Sequence, residues 1–496
     1  MSTGTSRLHH TSMARLWLVA PIVALAYLVL AWSSVAALLA LDARARSEAW
    51  TTPHATPWQW SLQHPDAVVW PGSRGFERDP DRSDALVGTV PDGTADLSLA
   101  LRGERIDPSL VSGAILGLQT QQDVRVVLLG TNDMGTIDLG ESTAAAPDLS
   151  LSLPFHSSTP DSLHALRLRV ETSAGERLLL RGLTLTRSSD VRVAACDASE
   201  NLSDMLAACA TRVPLLAAPL LIRPEALLAW RDRVLLERPA AIVRANDSLP
   251  AWTGLTEALR QRQHGWTFWV LGTLPLLGLL LNRVFPRPGA RRALLELTLT
   301  CGPWALLLWC GWPADDPAPA PTWTFLACLL GALLLRDPTP DWVLVGTRRA
   351  WLASAKVTVL ALSLLLLAGI ANALDADGLV MRVVPGEDLA RYPAWALLQQ
   401  LILIRTIAPR MRIAFGSDAS AALAAGALFG LLHLPNFSLM LLTFAAGTAW
   451  AWLGNCHRAL LPLVVSHAVL GLTLMILAPS WLLRSAEIGG RYLMTP

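Results

Sequence analysis

The distribution of apolar runs constrains this chain more than any other feature. One run occupies residues 16–41, and further runs follow at about 266–282, 293–313, 321–335, 356–373, 393–409, 419–434, 437–453 and 459–477. About 20 apolar helical residues cross a bilayer core, so repeated runs of this kind predict a polytopic α-helical membrane bundle. Hydrophobic residues make up 52% of the 496 and charged residues 16%, and the mean hydropathy is +0.41, which agrees with that class. Residues 42–265 are different. They are polar, rich in Asp, Arg, Ser and Thr, and hold no run that could span. The net charge of +1 provides no basic face for a polyanion, so nucleic acid is not an expected partner.

Residues 1–41 read as a signal anchor. A short basic region precedes an apolar run longer than the roughly 7–15 residues of a secretory signal core, although "ALDARA" at its end offers a cleavage sequence. Arginines mark alternate loops. "NRVFPRPGARR" (282–292), "RDPTPDWVLVGTRRAWLASAK" (336–356), "RMRIAF" and "NCHRA" are basic, whereas "WPADDPAPAPT" holds two acids and no base. Placing the basic loops in the cytoplasm puts residues 42–265 outside it. In a bacterium the expectation is an inner-membrane protein with an extracytoplasmic domain. Cys196 and Cys209 in that domain are candidates for a disulfide. No CxxC pair occurs, so a thiolate zinc site is not expected; no cofactor is expected.

Within the external segment, alternation of period two marks strands at 96–101, 124–130, 148–155, 166–171 and 177–186. The last two flank "TSAGE", a turn signal, and read as a hairpin. This density of short strands predicts a β-sandwich over about 84–190. A helical part is expected over about 191–265, with 224–243 as its clearest segment. The domain as a whole reads as β-sandwich-like α+β, suited to docking a protein or glycan, or to acting as a spacer. Residues 266–350 read as further membrane helices and 478–496 as a tail.

Polar side chains are scarce in the last four runs. Gln399, Gln400 and Arg405 lie in "AWALLQQLILIRTIAP" (394–409), His433 in "ALFGLLHLPNFSLM" (427–440), and His467 in "RALLPLVVSHAVLGL" (458–472). Intramembrane polar groups are costly and tend to face the bundle interior, so each is a candidate site residue. Interhelical hydrogen bonding alone accounts for one such residue more readily than for five. Phe429 and His433 stand at i and i+4 on one helix face, and Pro435 predicts that the helix bends or ends just past the histidine.

"FGLLHLPN" followed by "LLPLVVSHA" resembles the CPBP family of intramembrane proteases, which includes the CAAX prenyl endopeptidases and the lysostaphin-resistance-A-like proteins. The resemblance covers roughly 356–477. Phe429 and His433 match the family's FxxxH motif. His467 opens the later HxxxN motif, with Gly471 at the usual Asn. Arg405 ends the EExxxR motif, with Gln400 and Leu401 where the two glutamates stand.

The resemblance implies an intramembrane endopeptidase acting on exported or membrane-anchored proteins, with Gln400, Arg405, His433 and His467 as its catalytic set. Phe429 and Asn436 are expected to contact substrate or to support the site, and Gln399 to support it or pack its helix. In the family the glutamate is thought to act as general base, and the Asn and a histidine to stabilise the oxyanion. A glutamine amide cannot take a proton from water as a carboxylate can. Two readings remain open. In one, His433 or His467 is the base and Gln400 orients the water or the scissile carbonyl. In the other, the protein is an inactive homologue that binds a transmembrane or lipidated partner. A transporter reading lacks an inverted repeat.

Overall fold

The computed structural model describes residues 5–51, 56–62, 68–69, 72–78, 86–101, 105–144, 150–155, 161–196, 209, 213–219, 223–245, 258, 266–285, 289–312, 319–335, 342–375, 386–479 and 482–494. They form two compact units. One comprises 1–38, 222–226 and 248–496, and the other 39–221 and 227–247. Helix α1 (Thr5–Thr51) contributes to both.

The second unit is built on two antiparallel sheets. Its strands are β1 (Gln59–Ser61), β2 (Glu77–Arg78), β3 (Leu86–Val90), β4 (Thr94–Leu99), β5 (Val111–Gln119), β6 (Val124–Asn132), β7 (Gly135–Ala144), β8 (Leu151–Pro154), β9 (Ala165–Glu171) and β10 (Glu176–Arg187). One sheet runs β2-β3-β10-β5-β8, with β1 also on β10, and the other β4-β9-β6-β7. Alternate side chains bury the common core, including Leu97 and Leu99 of β4, Val126 and Leu128 of β6, and Leu166, Leu168 and Val170 of β9. On β10 the buried leucines are 178, 180, 183 and 185, so the alternation slips by one. The ladder with β5 is irregular between Leu180 and Gly182, and a bulge there returns Leu183 to the inner face.

The expected hairpin at "TSAGE" does not form. β9 and β10 belong to different sheets, and the turn between them crosses the sandwich. The β3–β4 turn crosses beside it. Thr172 N–H donates to Gly93 O and Gly175 N–H to Val90 O, each at 2.8 Å. Gly93 and Gly175 hold φ of 76° and 80°, conformations that L side chains rarely adopt. The physical reason is burial. Each strand carries one apolar face, and placing the two strands in opposing sheets buries these faces against each other.

The segment 191–265 also departs from the helical expectation. β11 (Val193–Cys196), β12 (Val213–Ala217) and β13 (Ile242–Arg244) form a parallel sheet, with the helix α2 (Pro224–Glu237) between β12 and β13 in sequence. Parallel strands lack the alternation of a half-exposed sheet, and "VPLLA" and "AAIV" carry none. Cys196, at the end of β11, is bonded to Cys209, with Cα atoms 5.9 Å apart.

The outward face of the four-stranded sheet carries ion pairs. Arg169 binds Asp96 through Nε at 2.8 Å and a second nitrogen at 3.2 Å, while Arg125 reaches Glu171 at 3.0 Å and also pairs with Glu141. The hydrogen bond and charge of Glu141, then those of Glu171, raise the Arg125 pKa above its ordinary value.

The first unit is helical. After α1 come α3 (Thr267–Leu271), α4 (Leu274–Val284), α5 (Ala290–Trp309), α6 (Pro319–Leu334), α7 (Arg348–Asp375), α8 (Gly386–Leu401), a π-helical turn over Ile402–Ile407, α9 (Ala408–Phe415), α10 (Asp418–Leu431), α11 (Phe437–His457), α12 (Leu461–Leu477) and α13 (Arg491–Met494). Among the described residues, four helical stretches are long and apolar enough to cross a membrane: Val19–Thr51, Thr267–Val284, Arg348–Ala371 and Phe437–His457. The helices α6, α10 and α12 are shorter and apolar. The 266–282 run is interrupted between α3 and α4 at Gly272–Thr273, just before Pro275.

α1 is a structural member of this bundle. Tyr27 and Ala31 lie in its core with Trp304, Phe429 and Phe444. The Tyr27 hydroxyl donates to the Ala427 carbonyl. It lies 2.5 Å from where a Cβ of Gly430 would sit, so only glycine admits this approach. The segment read as a tail also packs. Tyr492 and Leu483 are fully buried, and Gly489 N–H donates to Leu434 O at 3.0 Å.

Glu296 of α5 and Arg410 of α9 are both fully buried and pair at 2.9 Å. Asn282 Nδ2 donates to Glu296 at 3.2 Å, and Arg292 pairs with the same carboxylate at 3.0 Å. Removing one member of a buried pair strands its partner and costs about 3–5 kcal/mol. Arg410→Ala is therefore expected to lower thermal stability in detergent markedly. Joint replacement by Glu296→Leu and Arg410→Met should recover much of that loss, measured on the same unfolding curve.

Candidate functional site

The site is assembled from α8, the end of α10, α11 and α12. Gln400 sits in the last turn of α8 with no solvent exposure. Its Nε2 lies 3.2 Å from His467 Nδ1. In this orientation the amide donates and Nδ1 accepts, so neutral His467 carries its proton on Nε2. Gln400 Oε1 is buried and has no partner among the described residues.

Helix α10 ends at Leu431, two residues earlier than Pro435 alone suggested, and His433 lies in the turn that follows. The spacing of four from Phe429 still governs its contacts. His433 Nδ1 lies 2.8 Å from the Phe429 carbonyl. A carbonyl can only accept, so His433 carries its proton on Nδ1 and presents a lone pair at Nε2. The two imidazoles therefore hold opposite tautomers. One offers an acceptor, the other a donor.

Phe429 joins them. Its ring centroid is 5.0 Å from that of His433 and 6.1 Å from that of His467, edge-on to both. Trp450 of α11 stacks on His467 at 4.5 Å. The Trp450 indole N–H donates to Ser466 Oγ at 3.1 Å, and Thr358 of α7 donates to the same oxygen at 2.7 Å. This hydroxyl ties α7, α11 and α12 beside the histidine. Tyr392 of α8 places its ring 6.2 Å from His467, nearly perpendicular to it. The Tyr392 oxygen lies 1.9 Å from where a Cβ on Gly471 would stand.

The remaining expected residues lie elsewhere. Arg405 is exposed, whereas Ile402, Leu403, Ile404, Thr406 and Ile407 around it in the π-helical turn are buried. It therefore does not join Gln400 and the imidazoles. Asn436 does not join them either. Its Oδ1 caps α11 by accepting from Leu439 N–H at 3.1 Å, and its Nδ2 donates to the carbonyls of Ser485 at 2.7 Å and Glu487 at 3.1 Å. Those bonds commit the amide to a helix start and to the C-terminal segment. Gln399 is half-buried, one position from Gln400 on α8. Trp450, Ser466 and Tyr392 belong to the site but were not expected from sequence. A tryptophan or serine in an apolar run looks like packing, and Tyr392 precedes the run at 393–409. Among the described residues, no three His, Cys, Asp or Glu side chains are grouped to hold a metal ion.

Residues 355–473 match the family model described as type II CAAX prenyl endopeptidase Rce1-like. No curated protein matches the chain. Among solved structures, an arginine-to-alanine mutant of the family 29 carbohydrate-binding module CBM29-2 aligns at 12% identity, covering 26% of this chain and 88% of that one, with a TM-score of 0.20. The module CsCBM6-3 from Clostridium stercorarium, solved with cellobiose, aligns at 11% identity over 26% of this chain and 94% of that one, with a TM-score of 0.18.

Phe429→Ala removes the ring on which both imidazoles lean. It is expected to cost about 3–5 kcal/mol of stability, read by thermal unfolding in detergent, whereas Phe429→Leu should cost less.

Proposed function

We propose, for a chain whose residues 355–473 belong to the CPBP family of membrane endopeptidases, that it hydrolyses a peptide bond of an exported or membrane-anchored protein. His433 is the base in this reading. The observation that carries it is the pair of opposite tautomers held by the Phe429 carbonyl and the Gln400 amide. Neutral imidazole is a competent base near physiological pH, and Nε2 of His433 is the nitrogen left to accept a proton. Water would attack the scissile carbonyl carbon as His433 Nε2 takes its proton. Collapse of the tetrahedral intermediate then breaks the C–N bond, and the proton passes to the leaving amine. Gln400 holds His467 with Nε2–H available as a donor. Its own buried Oε1 supplies an acceptor for the attacking water or a substrate N–H.

The external sandwich reads best as a protein-docking module on the extracytoplasmic side of a bacterial inner membrane. Among its described aromatic residues, Trp50, Trp58, Trp60 and Trp230 are buried, while Phe76 and Phe155 pack against the core. None of these described rings is exposed. The full-length protein is expected to pass through cellulose and chitin columns, and retention would favour a glycan ligand instead.

A second reading, an inactive homologue that binds a transmembrane or lipidated partner, draws on one observation: residue 400 is an amide. Both readings face the same experiment. New protein termini in the membrane fraction are compared by mass spectrometry between cells expressing the wild type, His433→Ala and Gln400→Glu. Termini that vanish with His433→Ala support hydrolysis by the natural protein. Termini that arise only with Gln400→Glu identify a binding protein whose site lacks its base. Identical termini in all three reject proteolysis at this site.

A further inference from the structure

We infer that the Tyr392 hydroxyl is a catalytic hydrogen-bond donor, placed to hold the oxyanion that forms on the scissile carbonyl. The inference rests on the hydrolytic reading above and assigns a role to a residue outside the matched motifs. Gly471 lies one turn after His467 on α12, at the position of the family's Asn. A side chain there would require the Tyr392 ring to move. A Cβ would stand 1.9 Å from Tyr392 Oη and 2.4 Å from its ring carbon Cζ. The phenol from α8 thus fills the volume from which an Asn side chain would have extended.

A packing residue would explain the ring but not the choice of a phenol. The Tyr392 ring meets His467 and its hydroxyl lies beside Gly471, and none of the described residues accepts a hydrogen bond from that hydroxyl. Tyr392 is half-buried, so its hydroxyl is within reach of an incoming group. An unpaired donor beside a catalytic imidazole is what an oxyanion site needs before substrate arrives. Tyr392 O–H and His467 Nε2–H would supply two donors, leaving His433 Nε2 as the acceptor for the water proton. As the water oxygen bonds to carbon, the carbonyl π electrons move to oxygen, and Tyr392 donates a hydrogen bond without losing its proton. When the C–N bond breaks, the carbonyl re-forms and the bond weakens.

The test uses full-length protein and, as probe, a membrane protein whose termini depend on the wild-type enzyme, reconstituted with it in liposomes. Tyr392→Phe keeps the ring and deletes only the donor. Loss of one oxyanion donor lowers kcat by about 10²–10³-fold, so a fall of that order is expected, with KM nearly unchanged and the melting temperature retained. A double variant, Tyr392→Ala with Gly471→Asn, returns an amide donor to the vacated space and should cleave faster than Tyr392→Ala alone. Wild-type kcat in Tyr392→Phe, with His433→Ala inactive, overturns the role of Tyr392 and leaves the hydrolytic reading intact. Wild-type rates in both variants, or a wild-type protein that cleaves nothing, overturn both.

Discussion

A polar side chain inside an apolar helical bundle is stable where a neighbouring helix supplies its partner. Three such pairings order the helical unit. Glu296 and Arg410 join α5 to α9. Ser466, bonded by Thr358 and Trp450, joins α7, α11 and α12. Gln400 and His467 join α8 to α12. Arg292 joins the first at 3.0 Å, and two donors complete the second. The third leaves a buried carbonyl oxygen and an imidazole N–H uncommitted, and this surplus separates a site from a strut.

Replacing a carboxylate by an amide changes what the neighbouring histidine can do. A carboxylate beside His467 would accept a hydrogen bond from Nδ1–H and favour a lone pair on Nε2. Gln400 as oriented donates instead and reverses that preference. In the hydrolytic reading proposed above, the acid–base work then falls to His433, whose tautomer is fixed by the Phe429 carbonyl. In that reading, an amide at 400 redistributes roles between two imidazoles as well as removing a base.

Much of the fold could be read from local pattern. The alternating leucines and valines of 96–101, 124–130, 166–171 and 177–186 are strands because one face of each is buried. The apolar runs are helices. Pairing was harder to read, since "TSAGE" can close a hairpin or cross a sandwich, and only the opposite sheet decides which. β11, β12 and β13 escaped notice because parallel strands carry no alternation. At the site, His433, His467 and Gln400 stood out as polar residues in apolar runs. Arg405 stood out equally but is exposed, while the buried arginine is Arg410, whose partner Glu296 lies on another helix. Tyr392 was invisible because its significance depends on Gly471, a residue conspicuous only by its missing side chain.

The bond between Tyr27 and Ala427 spans 400 residues of sequence. The Tyr27 hydroxyl on α1 is therefore satisfied only once α10 has been made, and Gly430, three residues before His433, is shaped to receive it. Loop closure over such a distance is slow compared with helix formation. The histidine turn cannot acquire its final neighbours before α1 and α10 have met. A chain truncated during synthesis would hold most of its helices and lack the centre they surround.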